Sequence, residues 1–278
     1  MLRSILVALD DTPGAIAARD HAIALARRTG AGLTAAVVLD RPNARSDHEV
    51  FPAGGGAFKA RRDAARSAKL EAEAAAALTA CTAAADGTPF AELRLEQAPE
   101  EALLKAGATH DLIVIGRDST LGLETNEDGL APVIADLLHL GARPLLVIPP
   151  DAGASPQGPV LVGYDGSLPA MAALQLFALL GLAEGAPVRV ASAADTREEA
   201  LALAAEGVAY LRRHGLDATP LALLGDRPAD LLLAELEGLD ARLLVVGAFE
   251  ESGLVRMLIG SATTRLLREA RVPVFIHR

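Results

Sequence analysis

Gly247 closes an apolar run that begins at Leu243, and Gly260-Ser261-Ala262 opens a stretch of helical period a short loop later. The first N–H groups of a helix have no partners within it and carry the positive end of its dipole. Gly260, Ser261 and Ala262 can therefore present backbone donors to an anion, phosphate above all. A glycine at the end of a strand removes the side chain that would hold a ligand away from the backbone. Asp165 follows the run Val160-Leu161-Val162-Gly163-Tyr164 and ends a strand at the same crevice, where its carboxylate can accept hydrogen bonds from a ribose or an adenine amine. Each residue alone has a plainer use, since a glycine can simply end a strand and Asp165-Gly166-Ser167 can simply cap a helix. Together they read as a ligand site.

The elements that must position these residues are written twice. Ile5 to Asp10 matches Val160 to Asp165, Asp111 to Gly116 matches Ala241 to Gly247, and Arg143 to Ile148 matches Arg271 to Ile276. Copies of this length make two domains, not a short-period solenoid, and the first carries roughly two dozen extra residues. In each copy short runs rich in Val, Ile and Leu alternate with helical periodicity, which suits parallel strands buried on both faces by crossover helices. Strands are expected near 3–9, 33–39, 91–95, 111–116 and 144–148, and again near 159–164, 187–192, 217–223, 242–247 and 273–277. Helices are expected near 14–29, 58–85, 99–107 and 130–140, and near 169–183, 196–214, 228–238 and 258–270. Pro13, Pro99, Pro169 and Pro228 stand at or near first helical turns, and Thr196 with Glu199 forms a capping box. The fold class is α/β: two tandem Rossmann-like domains, 1–150 and 157–278, each an open five-stranded, mostly parallel sheet with helices on both faces. The Pro- and Gly-rich stretch 149–159 is the linker, and 41–57, with Gly54-Gly55-Gly56, is a long loop confined to the first copy.

Composition excludes several function classes. A net charge of −10 argues against a nucleic-acid surface, and 3% aromatics against base stacking. No apolar run approaches the roughly 18 residues that cross a bilayer, and Asp10-Asp11 follow too closely on the N-terminal run for a signal peptide, so a cytoplasmic protein without membrane contact is expected. The single Cys81, in an alanine-rich helical stretch, allows no intrachain disulfide. The histidines show no metal-ligand spacing, neither glycine array is followed by a P-loop lysine, and no nucleophile or general base can be defended. No catalytic or metal-ligating residue is assigned, and no enzyme is expected.

The pattern resembles that of the universal stress proteins in tandem form, across essentially all of both halves. Adenine-nucleotide-binding members carry, after the fourth strand, Gly, two residues, Gly, nine residues, then Gly with Ser or Thr. Gly247, Gly260 and Ser261 keep the spacing, while Glu250 replaces the middle glycine. Asp165 and Val272-Pro273 also match the family. The resemblance implies a stress-response module that binds ATP or another adenine nucleotide, with Mg²⁺, through Asp165, Val246, Gly247, Gly260, Ser261 and Ala262. It also implies final strands paired across a two-fold axis, here Leu145 to Ile148 beside Val274 to Ile276, and allows self-association into a homodimer.

Glu250 has two readings. A carboxylate beside the phosphates costs on the order of several kcal/mol unless Arg256, Arg265 or Mg²⁺ offsets it; pointed to solvent it costs nothing. The first copy keeps Asp10, Gly116 and Gly129, but Ser119 and Leu130 replace the other signature residues and Leu123 to Asp128 adds three acids. That half is expected to bind no triphosphate and to act as a structural partner or take a different ligand. The alternative for the whole chain is a degenerate scaffold that works through protein contacts or another small ligand.

Overall fold

A computed structural model describes residues 1–41, 56–121, 129–153, 157–248 and 260–278. In the first half, β1 (Ser4–Leu9), β2 (Gly32–Val38), β3 (Phe90–Leu95), β4 (Leu112–Gly116) and β5 (Leu145–Ile148) alternate with α1 (Pro13–Thr29), α2 (Gly56–Ala85), α3 (Pro99–Gly107) and α4 (Pro132–Leu140). The second half repeats this with β6 (Val160–Gly163), α5 (Leu168–Leu180), β7 (Val188–Ala194), α6 (Arg197–Arg213), β8 (Ala218–Leu224), α7 (Pro228–Gly238), β9 (Leu243–Gly247), α8 (Ser261–Glu269) and β10 (Val274–His277).

The strands form one ten-stranded sheet in the order β3-β2-β1-β4-β5-β10-β9-β6-β7-β8. Within each half every pair is parallel; the halves join through β5 and β10, antiparallel, with Phe275 opposite Leu146. The final strands thus pair inside one chain, as the resemblance implied. Alternate strand residues face two layers. Ile5, Val7, Leu146, Val245 and Phe275 pack beneath α1, α2, α5 and α6, whereas Leu6, Ile115, Val147, Val246 and Ile276 pack beneath the other four helices. Both outer strands are poor templates for further pairing: β3 turns Glu92 and Arg94 outward and β8 carries Pro220.

Helix ends follow local chemistry. Thr12, Ser167 and Thr196 each cap a helix by accepting from the N–H three residues on, and Thr196 also donates to Glu199. Helix α5 ends at Leu180, before the expected 183, because Gly181 takes a left-handed φ of 76°. Helix α4 starts at Pro132, not at 130, because proline fixes the first helical position and Ala131 becomes the cap. In α2 the buried positions Leu70, Ala74, Leu78, Cys81 and Ala85 lie on one stripe. Cys81 is a core residue there, and burial pushes its thiol pKa up.

Candidate ligand crevices at the carboxyl edge of the sheet

In both halves the strand order reverses direction between the first and fourth strands, β1 and β4 or β6 and β9, and open α/β sheets bind ligands at the carboxyl ends of such strands. In the second half a cleft of about 560 Å³ opens there, lined by Tyr164, Asp165, Asp195, Glu199, Asp226 and Leu232 among others. Asp165 is exposed at its edge, and its Oδ1 accepts from Ser167 N–H at 2.9 Å. Four carboxylates converge on the cleft, and no Lys or Arg stands among its described lining residues. Asp195, Glu199 and Asp226 escaped the sequence reading as site residues. Gly225-Asp226 directly after β8 was the available signal, a strand ending in glycine and an acid, as in the predicted site.

Gly260 is the buried N-cap of α8, with φ −56° and ψ 149°; no side chain caps that helix among the described residues, and its first turn carries no acid. Ser261 is exposed, Ala262 half-buried and Thr263 buried. Gly247 has a role the spacing alone did not show. A Cβ there would lie 2.3 Å from Ala170 N, inside the first turn of α5, and at Gly116 it would lie 2.3 Å from Ala15 N in α1. Both glycines let a helix N-terminus sit directly on a strand end, whatever else they do. Val246 has its side chain in the core at 1% exposure, so any ligand contact it makes is through its backbone. Glu250 and Arg256 lie outside the described residues. Arg265, one of the possible offsets to Glu250, is bound to Asp230 and, at 3.1 Å, to Glu269.

The first-half crevice is built differently. Asp10 Oδ1 accepts from Thr12 N–H at 2.8 Å and from the Thr12 hydroxyl at 2.6 Å, and its Oδ2 accepts from Thr120 N–H at 2.9 Å and Leu121 N–H at 3.2 Å. These bonds fold the segment after β4 back over the strand ends. Leu121 is held there at a φ of 35°, a costly conformation for a branched side chain, with that side chain 1% exposed. Asp118 accepts from Gly14 N–H at 2.9 Å, placing a carboxylate of the protein itself at the α1 N-terminus. The corresponding α5 residue is Pro169, which has no N–H to offer. On the α1/α2 face, Leu70, Glu73 and Ala74 of α2 leave about 20 Å³ beside Leu9 and Asp10. Gly129 does not play the part of Gly260: it lies outside α4, exposed, at a φ of 70°. The acids between Leu123 and Asp128, and most of the 41–57 loop, lie outside the described residues.

A model of the universal stress protein family matches residues 1–149 and 158–278. The chain belongs to that family, in a tandem form. Proteins of this family are typically non-catalytic regulatory or signalling modules. Universal stress proteins Rv2005c of Mycobacterium tuberculosis and Mb2028c of Mycobacterium bovis are each 29% identical over 167 residues, 54% of this chain and 56% of theirs. The match thus spans little more than half the length of these curated relatives. Among solved structures, a universal stress protein from Archaeoglobus fulgidus superposes with a TM-score of 0.70 at 16% identity, covering 99% of this chain and 98% of its own. A putative universal stress protein from Pseudomonas aeruginosa gives 0.60 at 19% identity, over 99% and 93%. These likenesses establish the fold. Among the described residues no helix is long and apolar enough to cross a membrane, and no group of three or more His, Cys, Asp or Glu could hold a metal ion.

Proposed function

We propose that the chain is a cytoplasmic stress-response module that binds ATP or another adenine nucleotide in its second half, residues 157–278, while the first, 1–150, is a structural partner. The observation that carries this is the cleft of about 560 Å³ beside Asp165, whereas Asp10 in the first half is engaged by Thr12, Thr120 and Leu121. The carboxylates around the cleft are acceptors suited to ribose hydroxyls and an adenine amine. The phosphates belong at Gly247 and at the α8 N-terminus, Gly260 to Ala262, where backbone donors and the helix dipole favour negative charge. Mg²⁺ would moderate the repulsion between those phosphates and the acids of the cleft.

Calorimetric titration of nucleotide-stripped protein with ATP and ADP, with and without Mg²⁺, tests the reading. One saturable site is expected; absence of heat and of a thermal shift at millimolar nucleotide eliminates it. If Glu250→Gly then gains binding, that carboxylate is the reason.

A second reading, a scaffold acting through protein contacts, draws on one observation: the cleft is lined by four carboxylates with no basic side chain among its described residues, which opposes a triphosphate. Whole-chain self-association into a homodimer belongs with it and would need a surface other than β5 and β10, which already pair internally.

A further inference from the structure

A second cleft, of about 320 Å³, lies at the junction of the halves, remote from the strand ends that form the crevices described above. It sits on the α1/α5 face of the sheet, and the duplication shows how it arises. On the side of the pseudo-two-fold axis that belongs to the second half, Phe177 of α5 and Phe275 of β10 fill the space, both fully buried, edge to face with centroids 6.4 Å apart. Their counterparts in the first half are Ala22 of α1 and Leu146 of β5, which is the residue paired with Phe275 across the junction. Two aromatic rings are thus replaced by a methyl and an isobutyl group, and the missing volume is the cleft.

Its lining differs from its counterpart in polarity at one position and in the sign of charge at another. His21 takes the place of Leu176 and Arg242 that of Asp111. His21 is only 6% exposed, and its Nε2 has no hydrogen-bond partner among the described residues. Burial, and secondarily the charge of Arg28, lower its pKa to about 4, so the ring is neutral at pH 7. Arg28 binds Glu184 through two contacts, at 2.8 and 3.1 Å, which neutralises that pair. Arg242 donates to the Ala183 carbonyl and, among the described residues, has no carboxylate within ion-pair distance. The cleft therefore combines a partly desolvated guanidinium that shares Glu184 with Arg28, a buried imidazole whose Nε2 has no recorded partner, and leucine walls that include Leu146 and Leu243.

We infer that this junction cleft binds a small amphiphilic monoanion, a monocarboxylate with an apolar body, its carboxylate on Arg242 and His21 and its chain over Leu146 and Leu243. The volume suits a ligand of about ten heavy atoms, whose affinity should be on the order of 0.5 mM. Such a ligand touches both halves and would bind preferentially to the docked arrangement.

Octanoate and 1-octanol are the probes, titrated by calorimetry into the full chain. Octanoate should bind at one saturable site, with octanol, which lacks the charge, about tenfold weaker. Leu146→Phe copies the residue opposite it and should abolish binding of both probes. Arg242→Gln, which retains a donor for Ala183, should weaken octanoate about tenfold and leave octanol unchanged. Far-UV dichroism and thermal unfolding verify each fold, and if Leu146→Phe does not fold, Arg242→Gln alone decides. Absence of octanoate binding at roughly 10 mM, or equal octanoate affinity in folded Leu146→Phe or Arg242→Gln, overturns the inference.

Discussion

The crevice beside Asp10 and the crevice beside Asp165 stand at equivalent strand ends in a duplicated fold, yet their described surroundings differ. The strands, the helix caps and the packing glycine are common to both. Asp10 accepts four hydrogen bonds that tie down residues 12, 120 and 121; Asp165 accepts one from Ser167, and the counterparts of 120 and 121, Glu251 and Ser252, lie outside the described residues. A carboxylate that could face a ligand has been turned into a bracket for the protein's own loop. In the same half the α1 N-terminus is already met by Asp118, the charge an incoming phosphate would otherwise supply. Internal occupation of Asp10 and of the α1 N-terminus thus distinguishes the first half of one continuous sheet.

The comparison can be broken most forcefully at what the halves share. Gly247→Val and Gly116→Val should each destabilise the protein by about 3 kcal/mol or more, because the new Cβ meets helix backbone at 2.3 Å, which cannot rotate away. Urea unfolding measures it, and a loss below roughly 1 kcal/mol for either would show that the strand end and helix are not locked as described.

Next is the junction, where His21 replaces an aliphatic residue. Its pKa falls from 6.5 to about 4 on folding, so the unfolded chain binds the proton more tightly. Stability should therefore fall as pH drops from about 6.5 towards 4, by up to about 3 kcal/mol, and gain nothing from this group above that window. His21→Leu should flatten the profile in that interval; an unchanged slope would remove His21 as its source.

The Asp pair sharpens the contrast directly. Asp10→Ala strands the N–H groups of Thr120 and Leu121 and should cost about 2 kcal/mol, while Asp165→Ala should cost about 0.5 kcal/mol. Equal losses in thermal or denaturant unfolding would mean that Asp10 is no bracket. The smallest effect concerns the ligand: Asp165→Asn should weaken adenine nucleotide binding about fivefold with unfolding unchanged, and Asp10→Asn should leave nucleotide affinity as it was.

Much of the fold was legible because its signals are local. Apolar runs of strand length, prolines at first turns and the Thr196 capping box place elements within a few residues, and the errors at 130 and 183 arose where Pro132 and Gly181 outweighed the periodicity. The candidate site was legible only as a set of positions. Gly247 reads as a ligand contact by its spacing but is required by the approach of α5, and Val246 turned out to be core because strand alternation points its side chain beneath α7 and α8. Asp195 and Asp226 reach the cleft of Asp165 only because β7 and β8 lie beside β6.

The sequence by itself determined the duplication, the alternation of strands and helices and the family, since each is carried by residue types at fixed short spacings. Tertiary structure decided what Asp10 binds and where the junction leaves space. Asp10 binds residues more than a hundred positions away, and the cleft beside Leu146 exists because rings opposite it, from another helix and strand, have no counterparts in the first half. Hydrogen-bond partners and packing volumes are summed over neighbours in space, and no window along the chain contains them.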